Sequence, residues 1–419
     1  MSEAPGSPGQ LPAPGLSRLG ALMNRDYRLF VFGNAVSLIG SWTQRVAAGW
    51  LVWEMTGSPT WLGLIAFADL IPVLLFSPLS GPITDRYPRQ KLLRAVQVIA
   101  ILPALATAAL SFAGLLNEWL LLAFAFGLGS AQAIEQSSRL AFVADIVERR
   151  DLTSAVAINS VTFNLACFAG PAFAGALIAL ADASWAFAFN AASFAALLWA
   201  LSAMRPIAGP EWRSDGASVL GDLTQGLAYI RRTEGLCLIL VLIGALNFGA
   251  RPILELLPAF SERHFSAGST GFAVLSSAVG AGAMAGGLVL AFARGPRSNT
   301  RDALVSALGV IVTGQLFLLP GQLWLGVLVI FNLGIFLATS GIAMQSILQL
   351  HADPAYRGRV LAIYGLLFRA APALGGLAMG ALSEVTGLRL PAILGGLIIL
   401  AALTSVSFRR AAILRMEAS

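Results

Sequence analysis

Four apolar stretches carry polar residues at helical spacing. Asn34, Ser37, Ser41, Gln44 and Arg45 recur at three- and four-residue intervals and share one helical face. Gln132, Glu135, Gln136 and Arg139 do the same. Asn247, Arg251 and Glu255 stand at i, i+4 and i+8, and Asn332, Thr339 and Ser346 recur at sevens. An isolated hydroxyl or amide in such a helix is commonly glue between helices. An ion is different: it costs several kcal/mol in hydrocarbon and marks a functional position by default, with a fixed structural ion pair as the plain alternative. The chemistry open to these stripes is the binding of polar groups and the movement of protons.

Such stripes need a membrane around them, and the composition supplies the argument. Of 419 residues, 57% are hydrophobic and 11% charged, whereas an average soluble domain has roughly 25% charged residues. An aqueous surface with so little charge would be largely apolar. Residues 1–26, which open with a Pro-, Gly- and Ser-rich stretch, read as a disordered tail without the basic-then-apolar order of a secretory signal. Beyond it lie apolar runs long enough to cross about 30 Å of hydrocarbon, which takes roughly 20 helical residues. They fall near 28–54, 60–83, 93–115, 118–142, 154–180, 184–204, 236–259, 270–293, 303–320, 322–347, 360–383 and 390–408. The expected fold is an all-α membrane protein of twelve spans.

Charge sets the orientation, since cytoplasmic loops hold the excess of Lys and Arg. With the N-terminus inside, 21 of the 27 basic residues fall on the cytoplasmic side, two (Arg263 and Arg389) outside, and four (Arg45, Arg139, Arg251 and Arg369) within spans. Both termini are therefore expected in the cytoplasm. Single cysteines at Ser58, Asn117 and Ser266, in a background lacking Cys167 and Cys237, should react with impermeant thiol reagents added outside. Cysteines at Pro88 and Ser298 should not, and outside labelling at Pro88 would overturn the orientation. The same distribution accounts for the net charge of +6: short basic loops face anionic headgroups, and no nucleic-acid partner is expected.

His264 and His351 fall in loops on opposite sides, with no nucleophile–base constellation or phosphate-cradling loop, so no enzyme activity is expected. Cys167 and Cys237 follow no metal-ligand spacing, and neither a metal nor another cofactor is implied.

The longest polar stretch divides the spans six and six, as bundles 27–205 and 236–410 joined by a linker at 206–235 and followed by a tail at 411–419. Within the linker, Gly221 to Thr233 predicts an amphipathic helix with Leu223, Leu227 and Ile230 on one side. The halves echo each other: Ala169–Gly175 reads AGPAFAG and Ala370–Gly376 reads AAPALGG, and LIG recurs at 38–40 and 242–244, each followed by an arginine. Duplicated bundles around a central site are a transporter architecture. Depth arithmetic at about 1.5 Å per residue places Arg45 and Asp69 level on consecutive helices, as a candidate pair. Arg251 and Glu255 could pair along one face. Glu135 has Arg139 one turn away but could otherwise face a cavity.

Between spans two and three, Gly81-Pro-Ile-Thr-Asp85-Arg86-Tyr-Pro-Arg89-Gln-Lys91 resembles the signature of the major facilitator superfamily. Pro88 and Gln90 depart from that pattern, and residues 293–301 after span eight carry no acid. The resemblance implies a latch, expected to be one-sided, in which Gly81, Asp85, Arg86 and Arg89 hold this loop to the cytoplasmic end of span eleven. In span five, Gly170, Pro171 and Gly175 sit in a stretch similar to the Gly-Pro motif of the superfamily's antiporters and exporters, where a proline bends the helix and small residues admit a neighbour. Ala123 stands where the drug–proton antiporter pattern has a membrane-embedded arginine. Over nearly the whole chain, the resemblance is to the exporter branch that includes enterobactin and macrolide efflux proteins. Its carriers are Thr56-Gly57-Ser58-Pro59, Pro72, Ser138-Arg139 and Arg357-Gly358-Arg359.

That resemblance implies two six-helix bundles, with spans one, four, seven and ten lining the central cavity. It implies a monomeric exporter in a bacterial-type inner membrane, moving an amphipathic siderophore, antibiotic-like metabolite or lipid-like compound. Proton antiport would run through Glu135 or Asp69. Uptake or lipid flipping on the same scaffold, and a membrane receptor or assembly component without turnover, stand as alternatives.

Overall fold

The computed structural model describes residues 20–206, 219–292, 299–354, 356–409 and 413, with backbone alone at 77–82, 85, 137, 140, 149, 153, 219–223 and 291–292. The first half comprises α1 (Arg25–Thr56), α2 (Pro59–Arg86), α3 (Arg89–Phe112), α4 (Glu118–Ile146), α5 (Leu152–Leu180) and α6 (Ala183–Ala203). A shorter helix, α7 (Val219–Arg232), precedes the second half. There follow α8 (Glu234–Gly249), α9 (Pro252–Glu255), α10 (Leu257–Arg263), α11 (Gly268–Phe292), α12 (Asn299–Leu316), α13 (Leu323–His351), α14 (Arg357–Thr386) and α15 (Arg389–Phe408). Nine helical stretches among the described residues are long and apolar enough to cross a membrane, the stretch Glu234–Glu255 counted as one. The lipid-facing surface carries the exposed Leu, Val and Trp side chains, while small residues fill the contacts between helices.

Local signals shape the helix ends. Asn24 caps α1, its Oδ1 accepting from the amides of Asp26 and Tyr27, while its Nδ2 donates to the Ile146 carbonyl at 2.7 Å. Ala21 is buried in the same cluster as Tyr27, Phe30 and Phe142. Order therefore begins before residue 26, where the sequence predicts a tail; residues 1–19 lie outside the described ones. Gly57 closes α1 in the left-handed region at φ 58°.

The internal echo in the sequence appears as repeated packing. In the first half α1 packs on α5 and α6, α2 on α4, and α3 on α4 and α6. In the second half α8 packs on α14 and α15, α11 on α13, and α12 on α13 and α15. Two seams join the halves, α2 against α14 and α5 against α11. The two Pro motifs sit on these seams in equivalent roles. A Cβ on Gly175 would overlap that of Ala273 on α11, and a Cβ on Gly63 of α2 would lie 2.5 Å from the Gly376 carbonyl. Pro171 cannot donate to the Cys167 carbonyl, which instead faces Gly280 of α11, so the bend and the helix-helix approach share one cause.

Polar contacts join the halves on the side that the charge bias assigns to the outside. Glu384 of α14 accepts from Ser58 Oγ at 2.8 Å and Thr60 Oγ1 at 3.2 Å. Arg263 donates to the Gly57 carbonyl at 2.7 Å and lies over the Trp53 ring at 4.9 Å. This side is closed. Because the neighbours of Gly63 are backbone atoms, Gly63→Ala should disfavour the closed arrangement by about 1–3 kcal/mol, typical of overpacking. Cross-linking between cysteines placed at Ser58 and Glu384 should fall accordingly. Gly287→Ala, which meets open space, is the neutral control.

Two elements differ from the sequence reading. The run 236–259 is one span by hydropathy, but the helix breaks at 250–251 and again at Leu256. Pro252 leaves the Phe248 carbonyl without its intrahelical donor, and that carbonyl meets Gly375 of α14. Second, α7 docks on protein: Tyr229 stacks on Tyr356 at 4.5 Å, its hydroxyl accepts from the Asp353 amide, and Gly226 packs on Arg359 and Ile363. Ile230 is buried, Leu227 is exposed, and the Leu223 side chain lies outside the described residues.

Candidate functional site

Arg45 lies at the centre, on the face of α1 turned to the second half. Its Nη1 lies 3.2 Å from Asp69 Oδ2 on α2, and its Nη2 donates to Glu255 Oε1 on α9 at 2.8 Å. Asp69 is positioned by a close crossing: a Cβ on Gly129 of α4 would overlap the Asp69 carbonyl, so the two helix backbones touch at that level. The Arg45–Asp69 pair expected from depth is present. The pairing of Glu255 with Arg251 is not. The two residues do lie one turn apart, because the break at 250–251 falls before both, yet Glu255 binds across to Arg45 and Arg251 turns to Phe368.

This triad also changes what Asp69 does. With Asp69 neutralised, Arg45 keeps Glu255, so Asp69 is not the sole counter-ion of a buried cation. A lone ion pair that a second neutralisation would rescue does not describe it.

Arg251 itself holds no ion pair among the described residues. Its guanidinium carbon stands 4.0 Å over the Phe368 ring, within Coulombic reach of Tyr364, Glu255, Arg45 and Cys167. It lines a cavity with Asn247, Tyr364, Phe368, Leu246, Leu337 and Met344, all from the second half. Asn247 Nδ2 donates to its own helix at Ile243 O, and its Oδ1 is buried without a partner.

A second cluster joins α1 to α4. Arg139 Nη1 donates to Asn34 Oδ1 at 2.9 Å and lies 3.4 Å from Glu135 Oε1. Asn34 and Glu135 are buried, and Ser37 is buried beside them on α1. Gln132 and Gln136 are half-buried and hydrogen-bond to neither cluster among the described residues. Ser41 donates to the Ser37 carbonyl, and Gln44 accepts from Asn190 of α6. Gln44 thus packs within the first half, away from the centre.

Span ten requires a correction of register. Thr339 Oγ1 lies 2.9 Å from Ser306 Oγ on α12, and Asn332 Nδ2 donates to Leu328 O of its own helix. The cavity face of α13 is instead Leu337, Ser340, Gly341 and Met344. A hydroxyl can satisfy itself on its own helix or a neighbour, so polar spacing alone does not identify the face.

Tyr364 and Phe368 were absent from the sequence-derived site. Their signal was available: two aromatic residues at i and i+4 immediately before the intramembrane Arg369. In the latch region, Arg89 donates to Asp145 of α4 at 2.6 Å, within the first half, and Arg86 is exposed. The side chain of Asp85, and Gly81 beyond its backbone, lie outside the described residues. In the helix-bend motif, a Cβ on Gly170 would collide with Trp42 of α1, and Thr43 Oγ1 lies 3.2 Å from the Gly170 carbonyl.

The arrangement holds charges between two helical bundles and offers no nucleophile, no base aimed at one, and no group of metal ligands among the described residues. Comparison with known proteins agrees. The macrolide efflux protein A of Streptococcus pyogenes is 22% identical over 349 residues, 82% of this chain and 85% of that protein. The multidrug efflux pump Tap of Mycobacterium tuberculosis is 25% identical over 376 residues, 86% and 87% of the two chains. The staphyloferrin A transporter of Staphylococcus aureus is 26% identical over 161 residues, 38% of this chain and only 41% of that protein. Among solved structures, an inward-facing bacterial homologue of the lysosomal transporter Spinster matches with a TM-score of 0.70 at 14% identity, over 93% of this chain and 97% of that one. The family model described as transmembrane secretion effector matches residues 16–418. The chain belongs to this transmembrane secretion effector family of the major facilitator superfamily, and is a multi-pass membrane transporter rather than an enzyme.

Proposed function

We propose that the protein is a secondary active exporter that carries an amphipathic small molecule by alternating access. The observation that carries this reading is the Arg45–Glu255 bridge, an ion pair that joins α1 of the first half to α9 of the second. A permanent scaffold would have little use for such a bond. A rocking pair of bundles can break it as the outer side opens and reform it as that side closes.

The direction and the cargo class draw support from the relatives, named for macrolide efflux, multidrug efflux and a siderophore. In this reading the chain spans a bacterial-type inner membrane twelve times as a monomer, with bundles 27–205 and 236–410 and both termini in the cytoplasm. Its basic inner loops lie against anionic headgroups. Protons are exchanged for cargo through Glu135, with Asp69 as the second titratable carboxylate. Asn34, Ser37, Arg45, Asn247 and Arg251 contribute to the cavity, and Asp85 latches the cytoplasmic side. The test is reconstitution of the full chain into liposomes, with macrolide and siderophore panels, with and without a pH gradient. Gradient-dependent accumulation is expected. Binding without flux under either condition would leave a receptor in place of a transporter.

A further inference from the structure

Four arginines and three carboxylates occupy the central clusters, and their pairing is uneven. Arg45 has two acids, Asp69 and Glu255, and Arg139 has Glu135. Arg251 has an aromatic ring, and Arg369 makes no hydrogen bond or ion pair among the described residues. Moreover Arg369, from the second half, lies within Coulombic reach of Arg139, from the first. Arg251 and Arg369 are thus cations without a bonded carboxylate among the described residues, and unpaired cations in a membrane interior are costly.

We propose that the cargo is bound as an organic anion, its negatively charged group seated at Arg251. Three features make this site more than a surplus of charge. The Arg251 guanidinium carbon stands over the Phe368 ring, and no group among the described residues takes its N–H donors, which suit bidentate contact with an oxyanion. Asn247, one turn before it on α8, carries a buried amide group with an unused oxygen, and a hydroxylated or protonated portion of the cargo can donate to it. The other side chains lining that cavity are mostly apolar, Leu246, Leu337 and Met344 among them, which suits an organic group beside the charge better than a hydrated inorganic ion.

This inference rests on the transport reading, because it needs a water-accessible cavity between the halves. Cys167 tests both. It lies on α5 within Coulombic reach of Arg251 and Arg45 and is partly exposed. The full chain with Cys237→Ser, in nanodiscs of zwitterionic lipid, is treated with a sulfonate-bearing or a trimethylammonium-bearing methanethiosulfonate. Each rate is normalised to that of free mercaptoethanol. A cation several Å away at an effective dielectric near 20 should raise the anion-to-cation rate ratio at least about tenfold. The ratio should fall toward one in Arg251→Gln, survive in Arg251→Lys, and be unchanged in the peripheral control Arg263→Gln.

A normalised ratio at or below one in the unmodified site overturns the proposal, and needs no arginine variant to fold. A high ratio that survives Arg251→Gln also overturns it, by placing the field elsewhere. A Cys167 that reacts with neither reagent would instead remove the wet cavity, and with it the transport reading.

Discussion

Glu135→Gln is expected to abolish transport driven by a pH gradient while leaving cargo binding and exchange down a cargo gradient. Glu135 is buried on α4, with Arg139 one turn away at 3.4 Å and Asn34 taking the shorter bond from the same guanidinium nitrogen. That is a loose hold. A movement of Arg139 toward Asn34, or toward cargo, would take the partner charge away from the carboxyl group, and its return would restore it. A glutamine keeps the shape and some hydrogen bonding but cannot release a proton, so the coupled flux should disappear rather than slow. The measurement is accumulation in proteoliposomes at an imposed pH difference, beside counterflow at equal pH. Full gradient-driven transport in Glu135→Gln would assign the proton elsewhere, with Asp69 next in line.

Arg45→Gln should produce the largest loss of stability of any substitution in the triad. It strands two carboxylates, Asp69 and Glu255, in a membrane interior. Removing one partner of a buried pair costs about 3–5 kcal/mol. The triad side chains are 19–31% exposed, which favours the lower end of that range. Asp69→Asn should be far milder, since Arg45 retains Glu255 at 2.8 Å. Glu255→Gln should cost little stability too, because Arg45 keeps Asp69, but should open the outer side by removing the bond between halves. Unfolding midpoints of the purified variants rank the three, and thiol labelling of a cysteine at Ser58 reads the opening. Severe unfolding of Asp69→Asn, rescued by neutralising Arg45, would contradict the triad and restore a simple pair.

The solvent, the twofold repetition and the inside–outside charge bias were legible in the sequence, because each is a sum over local properties. Apolar length decides whether a helix can live in lipid, whatever it packs against. The AGPAFAG and AAPALGG echo was legible too, and it proved to mark the two seams where Gly175 meets Ala273 and Gly376 meets Gly63. The latch residue Asp85 was equally plain as a motif, though its side chain lies outside the described residues.

Partner choice was not legible. Arg45 and Asp69 could be matched by depth because they sit on consecutive helices joined by a short turn. Glu255 lies 210 residues from Arg45, and spacing along its own helix pointed to Arg251 instead. Arg251 and Glu255 sit on the same short helix after the break, so spacing alone could not show that each turns to a group on another helix, Glu255 to Arg45 of α1 and Arg251 to Phe368 of α14. The face of α13 was lost for a similar reason: Thr339 is as content against Ser306 as against a cavity. Periodicity along one helix ranks faces by polarity, whereas the energy of a buried charge or hydroxyl depends on what stands within a few ångströms on another helix. For this protein, hydropathy and charge determined the medium and the repeat, and only the packing of the two bundles decided which ions were paired and which were left for a ligand.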